Sequence, residues 1–214
     1  MANNGGDLGD RVILVAGASS GMGRATAMAL ADCGARLVLA SRNDRALDIL
    51  VDEITNTPGR ALAVPTDVTD REAVARLVEA TLSEYGQVDA AVITAGTNIP
   101  RRTIDELTTE SWANMVAVNL TASFNITQAV LPALRERGGQ LVYVSSAAAK
   151  KPDASGVAYQ STKAGLVGLA HGTFNLTVDA PIVCQVFAGD RHVMTIILWH
   201  IARNDRRRRR ASRR

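Results

Sequence analysis

Tyr159 and Lys163 stand four residues apart, and Ser146 lies thirteen residues upstream of the tyrosine. Positions i and i+4 share one face of a helix, so this spacing sets a phenol beside an ammonium. An ammonium next to a phenol favours the phenolate and brings proton transfer within reach of neutral pH. A hydroxyl beside that pair can hold a carbonyl or alcohol oxygen in place. Together the three groups form a proton-transfer site suited to interconverting a ketone and an alcohol. Because Tyr-x-x-x-Lys spacings are common on ordinary helices, the meaning of this one rests on the elements that position it.

Those elements begin with a nucleotide-binding half. Residues 11–16 read as a short buried strand, almost wholly apolar and branched. The turn Gly17-Ala18-Ser19-Ser20-Gly21-Met22-Gly23 comes next, and then an alanine-rich helix from Arg24 that Gly34 closes. Glycines in such a turn let a pyrophosphate reach backbone N–H groups that side chains would block, and the helix N-terminus adds partial positive charge. The second strand, 36–40, ends at Ser41-Arg42. An acidic residue there would bind the ribose hydroxyls of NAD, and none is present. Arg42 instead offers a planar charged fork suited to a 2′-phosphate, so NADP(H) is expected over NAD(H). The alternative is that Arg42 is a solvated loop charge.

Strands and helices then alternate. Helices are expected near Asp44–Ile54 and Arg71–Tyr85, with a strand near Ala61–Pro65 and another over Val88–Thr94. A polar loop, Thr97–Thr108, leads to a helix from about Glu110 to Arg137. Gln140–Val144 is the fifth strand, and a long helix carries Tyr159 and Lys163. The pattern is that of an α/β protein with a doubly wound parallel sheet and its site at the carboxyl ends of the strands.

The chain resembles the short-chain dehydrogenase/reductase family in its soluble single-domain form. The family's glycine motif matches Gly17, Gly21 and Gly23. Its Asp after the third strand matches Asp67, followed by Val68, and its Asn-Asn-Ala-Gly stretch matches Ile93-Thr94-Ala95-Gly96, with both asparagines replaced. Its catalytic Asn, Ser, Tyr and Lys match Asn119, Ser146, Tyr159 and Lys163. The resemblance covers residues 11–170. It implies a Rossmann-like strand order 3-2-1-4-5-6 and an NADP(H) site lined by Gly17, Ser19, Ser20, Gly21, Met22, Gly23, Ser41, Arg42, Asp67, Val68, Ala95 and Gly96, together with Tyr159 and Lys163. It also implies Tyr159 as general acid/base and Lys163 as the group that steadies the phenolate and binds the nicotinamide ribose. Ser146 would orient the substrate oxygen, and Asn119 would anchor a water that passes protons towards Lys163. The implied partner is a small carbonyl or alcohol substrate, and such enzymes usually form homo-oligomers.

Composition agrees with one compact domain over residues 1–202, family-like to about 172 and divergent after it. The chain has 214 residues and is 47% apolar. Cys33 and Cys184 are too few for a disulfide framework, and His171, His192 and His200 lack ligand spacing, so no metal is expected. No apolar run reaches membrane-spanning length, and residues 1–10 lack the apolar core of a signal peptide, so a cytoplasmic location is expected. Asn119, Asn125 and Asn175 each begin a glycosylation sequon, and all three read as accidents.

Residues 181–189 could form a sixth strand, but the stretch beyond them is too short for the family's substrate-covering lid and seventh strand in their usual form. Residues 203–214 hold eight Arg and one Asp, a net of +7 in a chain of net +3, so the remainder is −4. That tail reads as disordered, with at most non-specific attraction to nucleic acid or anionic membrane. The break near residue 173 is also what a truncated or frame-shifted gene product would leave. The two functions expected are therefore an NADP(H)-dependent oxidoreductase and a family member that binds cofactor at most, without turnover.

Overall fold

A computed structural model of the chain describes residues 8–151, 153–175, 182–188 and 201. Six strands form one sheet: β1 (Val12–Ala16), β2 (Arg36–Ser41), β3 (Arg60–Pro65), β4 (Ala90–Ile93), β5 (Gly139–Ser145) and β6 (Ile182–Ala188). Their order is β3-β2-β1-β4-β5-β6 and every pairing is parallel. The expected Rossmann-like order is therefore present, with β6 where the sequence allowed a sixth strand. The lid, a seventh strand, the 193–202 stretch apart from Ile201, and the arginine tail lie outside the described residues.

The sheet is buried on both faces, which is why β1 reads as an unbroken apolar run instead of an alternating one. Ile13, Val15, Leu37 and Leu39 point to one core, beneath α1 (Gly21–Asp32) and α2 (Asp44–Ile54). Val12, Leu14 and Tyr143 point to the other, beneath α3 (Arg71–Tyr85), α5 (Ala122–Arg137) and α6 (Val157–Asn175). Local chemistry sets the helix ends. Asn43 caps α2 through Ala46 N–H, and Asp70 caps α3 through Glu72 N–H. Gly86 closes α3 at φ +71°, a left-handed conformation that favours glycine.

Two expectations are modified. The helix over 110–137 is composite: α4 (Thr109–Val116), then a π-helical turn (Ala117–Thr121), then α5. The π turn inserts where Asn119 turns inward. The fourth strand is shorter than Val88–Thr94, and just before it Asp89 pins the sheet's amino-terminal edge. Its carboxylate accepts from Arg11 Nη1 at 2.8 Å, from Val12 N at 2.9 Å and from Gln87 Nε2 at 2.7 Å. Its own N–H donates to Val12 O at 2.9 Å, and its carbonyl accepts from Gln140 N at 3.1 Å. One residue thus ties β1, β4 and β5 together at the edge opposite the site.

Asp89→Ala should therefore cost about 2–3 kcal/mol of stability, since it strands the buried Val12 N–H and leaves the Arg11 guanidinium without this carboxylate. A urea melt checks this, and an unchanged midpoint would show that the network carries no stability.

Candidate functional site

The chain leaves β1 for β2 and β3 on one side and returns through β4, β5 and β6 on the other. A crevice must open where the two directions part, at the carboxyl ends of β1 and β4. There the structure has a cleft of about 860 Å³. Every residue from Gly17 to Gly96 that the sequence assigned to the cofactor lines it: the turn from Gly17 through Gly23, Ser41 and Arg42, Asp67 and Val68, and Ala95 and Gly96. Sequence reasoning missed Arg45, Thr69 and Thr97, which also line it. Arg45 was detectable, because it lies three residues beyond Arg42 in the first turn of a helix; Thr97 carried no signal beyond adjacency to Gly96.

The glycines of the turn serve two purposes. Gly21 has φ +51° and nothing within 4 Å of where a Cβ would stand, so it leaves open space beside the helix N-terminus. Gly23 is different: a Cβ there would lie 2.1 Å from Gly17 O, so its absence lets α1 pack on the turn itself. Helices α2, α3 and α4 are capped by Asn43, Asp70 and Thr108, but no side chain caps α1 at Ser20. An uncapped N-terminus facing a cleft, beside open space, fits the pyrophosphate of a dinucleotide.

At the far end of the cleft Arg42 and Arg45 are exposed and make no ion pair among the described residues. Asp67 is held by its own turn, accepting from Thr69 N at 2.9 Å and Thr69 Oγ1 at 2.7 Å. Those bonds hold its carboxyl below the usual range against the opposing effect of burial, and Arg42 adds to the lowering. Thr94, which replaces a family asparagine, donates from Oγ1 to Ala16 O at 2.7 Å and so joins the ends of β4 and β1.

The other end of the cleft reaches the proton-transfer residues through Gly96. A Cβ on Gly96 would stand 3.2 Å from Lys163 Nζ and 3.3 Å from Asn119 Oδ1. Lys163 is 4% exposed. Its Nζ donates to Val144 O at 2.8 Å and lies 5.6 Å from the centre of the Tyr159 ring. The i, i+4 pair is therefore formed, on α6. Burial pushes the Lys163 ammonium down from 10.5 to about 8.

Asn119 is fully buried. Its Oδ1 accepts from Thr97 N at 2.7 Å, and its Nδ2 donates to Thr97 O at 3.0 Å and Thr162 Oγ1 at 3.2 Å. Both amide hydrogens are committed to stitching the β4–α4 loop to α6, so any water that Asn119 anchors must bond to one of its oxygens. Asn125, one sequon on, is also buried and donates to Val68 O and Thr69 O, each at 3.3 Å. Burial of both side chains agrees with reading these two sequons as accidents.

The two adjacent serines have separate tasks. Ser146 is part-exposed and caps the short 3-10 turn Ala147–Ala149, accepting from Ala148 N at 3.2 Å; that turn packs against α6. Ser145 is buried and donates to Lys163 O at 2.7 Å. Only Ser146 stands partly open towards the space beside α6.

An α/β protein with a dinucleotide cleft and a lysine–tyrosine pair at its end is what the geometry defines. The profile of the short chain dehydrogenase family matches residues 11–184, and the chain belongs to that family of oxidoreductases. An uncharacterised oxidoreductase of Listeria monocytogenes is 39% identical over 155 residues, which is 72% of this chain and 62% of that protein. A 3-oxoacyl-[acyl-carrier-protein] reductase of Thermotoga maritima is 33% identical over 160 residues, 74% of this chain and 65% of the reductase. The chain thus matches just under two thirds of the length of these curated relatives. A metagenomic short-chain oxidoreductase crystallised with NADP superposes with a TM-score of 0.85 at 28% identity, covering 92% of both chains. Carveol dehydrogenase of Mycobacterium avium, crystallised with NAD, shares the fold, with a TM-score of 0.82 at 24% identity over 86% of this chain and 71% of that one.

The buried lysine has a consequence for stability. Its folded value, about 8, lies below its ordinary 10.5, so between those limits the unfolded chain binds more protons than the folded one. Stability from this group therefore rises with pH across that window, by about 3 kcal/mol in all. Melts of the parent and Lys163→Met from pH 7 to 10.5 should show the parent gaining on the variant; parallel curves would show that the ammonium is solvated.

Proposed function

We propose that the chain is an NADP(H)-dependent oxidoreductase that interconverts a carbonyl and a secondary alcohol, with Tyr159 as general acid/base. The observation that carries this is continuity: one cleft runs from two exposed arginines that form no ion pair among the described residues, past a helix N-terminus with no side-chain cap, to the glycine that abuts Lys163 and Asn119. The NADP complex of the metagenomic relative supports the same reading.

A bound nicotinamide dinucleotide supplies or accepts the hydride. The turn from Gly17 to Gly23 and the N-terminus of α1 would hold its pyrophosphate, and Arg42 would hold its 2′-phosphate. Asp67, Val68, Ala95 and Gly96 would supply the rest of its binding surface.

Ser146 orients the substrate oxygen and stabilises charge that develops on it. Tyr159 gives that oxygen a proton in carbonyl reduction and takes one in alcohol oxidation. Lys163 favours the phenolate between these steps and binds the nicotinamide ribose. Asn119 holds the β4–α4 loop against α6, and an oxygen of the same residue anchors the water that returns protons. Among the described residues no helix is long and apolar enough to cross a membrane, which suits a cytoplasmic enzyme acting on small molecules.

Two variants test the reading. Tyr159→Phe should lower turnover of a ketone found by screening by at least about a hundredfold, with NADPH affinity kept; a near-parental rate would remove Tyr159 from the mechanism. In fluorescence titrations the parent should prefer NADPH to NADH, and Arg42→Ala should weaken NADPH about tenfold or more while sparing NADH. Equal affinities in the parent would sink the cofactor assignment.

A further inference from the structure

Ser145 is the last residue of β5, is 3% exposed, and donates from Oγ to the main-chain carbonyl of Lys163 at 2.7 Å. The return bond starts from that same lysine, whose Nζ donates to Val144 O at 2.8 Å. Residues 144–145 and residue 163 therefore grip each other twice, once through the serine side chain and once through the lysine side chain. A carbonyl inside a helix already accepts the N–H four residues on and keeps a second lone pair; Ser145 takes that lone pair at Lys163 and at no other residue of α6.

The second grip has no ion pair behind it: Lys163 has no carboxylate within ion-pair distance among the described residues. Val144 O and the face of the Tyr159 ring are the groups that hold its charge. The ring belongs to α6 itself, but Val144 O reaches the ammonium only if α6 sits at one height and one rotation against β5. The neighbouring Thr162 is fixed from the other side by Asn119 Nδ2 at 3.2 Å, which leaves the β5 side to Ser145.

We infer that Ser145 is a positioning residue for Lys163: its bond to the lysine's carbonyl sets α6 against β5 so that Nζ lands on Val144 O beside the Tyr159 ring. The inference rests on the proposed role of Tyr159 and Lys163 as the proton-transfer pair. It assigns the Ser-Ser pair two jobs, with Ser146 serving the substrate and Ser145 serving the lysine.

The chain has three lysines, Lys150, Lys151 and Lys163, and the first two are exposed. Carbon-13 NMR of protein labelled at the lysine ε-carbons can therefore follow Lys163 alone, its resonance assigned with Lys163→Met. In the parent its midpoint should lie near 8. In Ser145→Ala it should climb by about one pH unit towards the ordinary lysine value of 10.5, as the grip loosens and water reaches the ammonium. Ser145→Thr, which keeps the hydroxyl, should stay near the parent. Far-UV circular dichroism establishes that each variant is folded; if Ser145→Ala is not, Ser145→Cys, of similar size but a weak donor, makes the same comparison. An unchanged midpoint in the Ala or Cys variant, or a Thr variant that shifts as far as Ala, would overturn the inference. Full turnover by Tyr159→Phe would instead remove the catalytic reading and leave the lysine titration to be judged by itself.

Discussion

An ammonium held out of water, with no carboxylate beside it among the described residues, is the constraint around which this molecule is arranged. A buried charge must be met by dipoles or give up its proton, and Lys163 is poised between the two. What meets it is a strand-end carbonyl, Val144 O, and the face of an aromatic ring, that of Tyr159. Each contact makes a demand elsewhere. The carbonyl belongs to the next-to-last residue of β5. A Cβ on residue 96 would crowd Nζ at 3.2 Å. The turn of α6 that carries the lysine is braced by Asn119, which points inward from a π-helical turn. A change at any of these places reaches the ammonium before it reaches solvent.

The sheet divides its labour between its two edges. At the amino edge Asp89 ties three strands with charged and neutral hydrogen bonds, as a purely structural knot. At the carboxyl edge the groups are left less committed: a helix without a side-chain cap, two exposed arginines that form no ion pair among the described residues, and a serine that is partly exposed. Stability and chemistry thus draw on different strand ends, and the knot at one edge allows the other to stay open.

Much of this was legible in the sequence. Strands buried on both faces leave continuous apolar runs, and α2 and α3 coincide with their expected limits because Asn43, Asp70 and Gly86 mark them chemically. The cleft was legible for a similar reason: the turn after β1 is marked by its glycines, and every residue from Gly17 to Gly96 assigned to the expected cofactor site lines that one cleft. Legibility failed where the deciding contact joins distant parts of the chain. Gly23 is glycine because α1 packs on Gly17 O, and the separate duties of Ser145 and Ser146 depend on a helix that begins a dozen residues later. Nothing local announces the π turn, since Asn119 adopts it to reach Thr97 and Thr162.

Asn119 and Asn125 lie on one continuous helical rod, six residues or about 9 Å apart. The first grips the loop beside Gly96, and the second grips the loop that carries Asp67 through the carbonyls of Val68 and Thr69. The two ends of the cleft are thus indexed to a single stiff ruler and not to the flexible connections between strands. A molecule that fills the cleft is measured against a helix, and neither end can yield without dragging the other along the same axis.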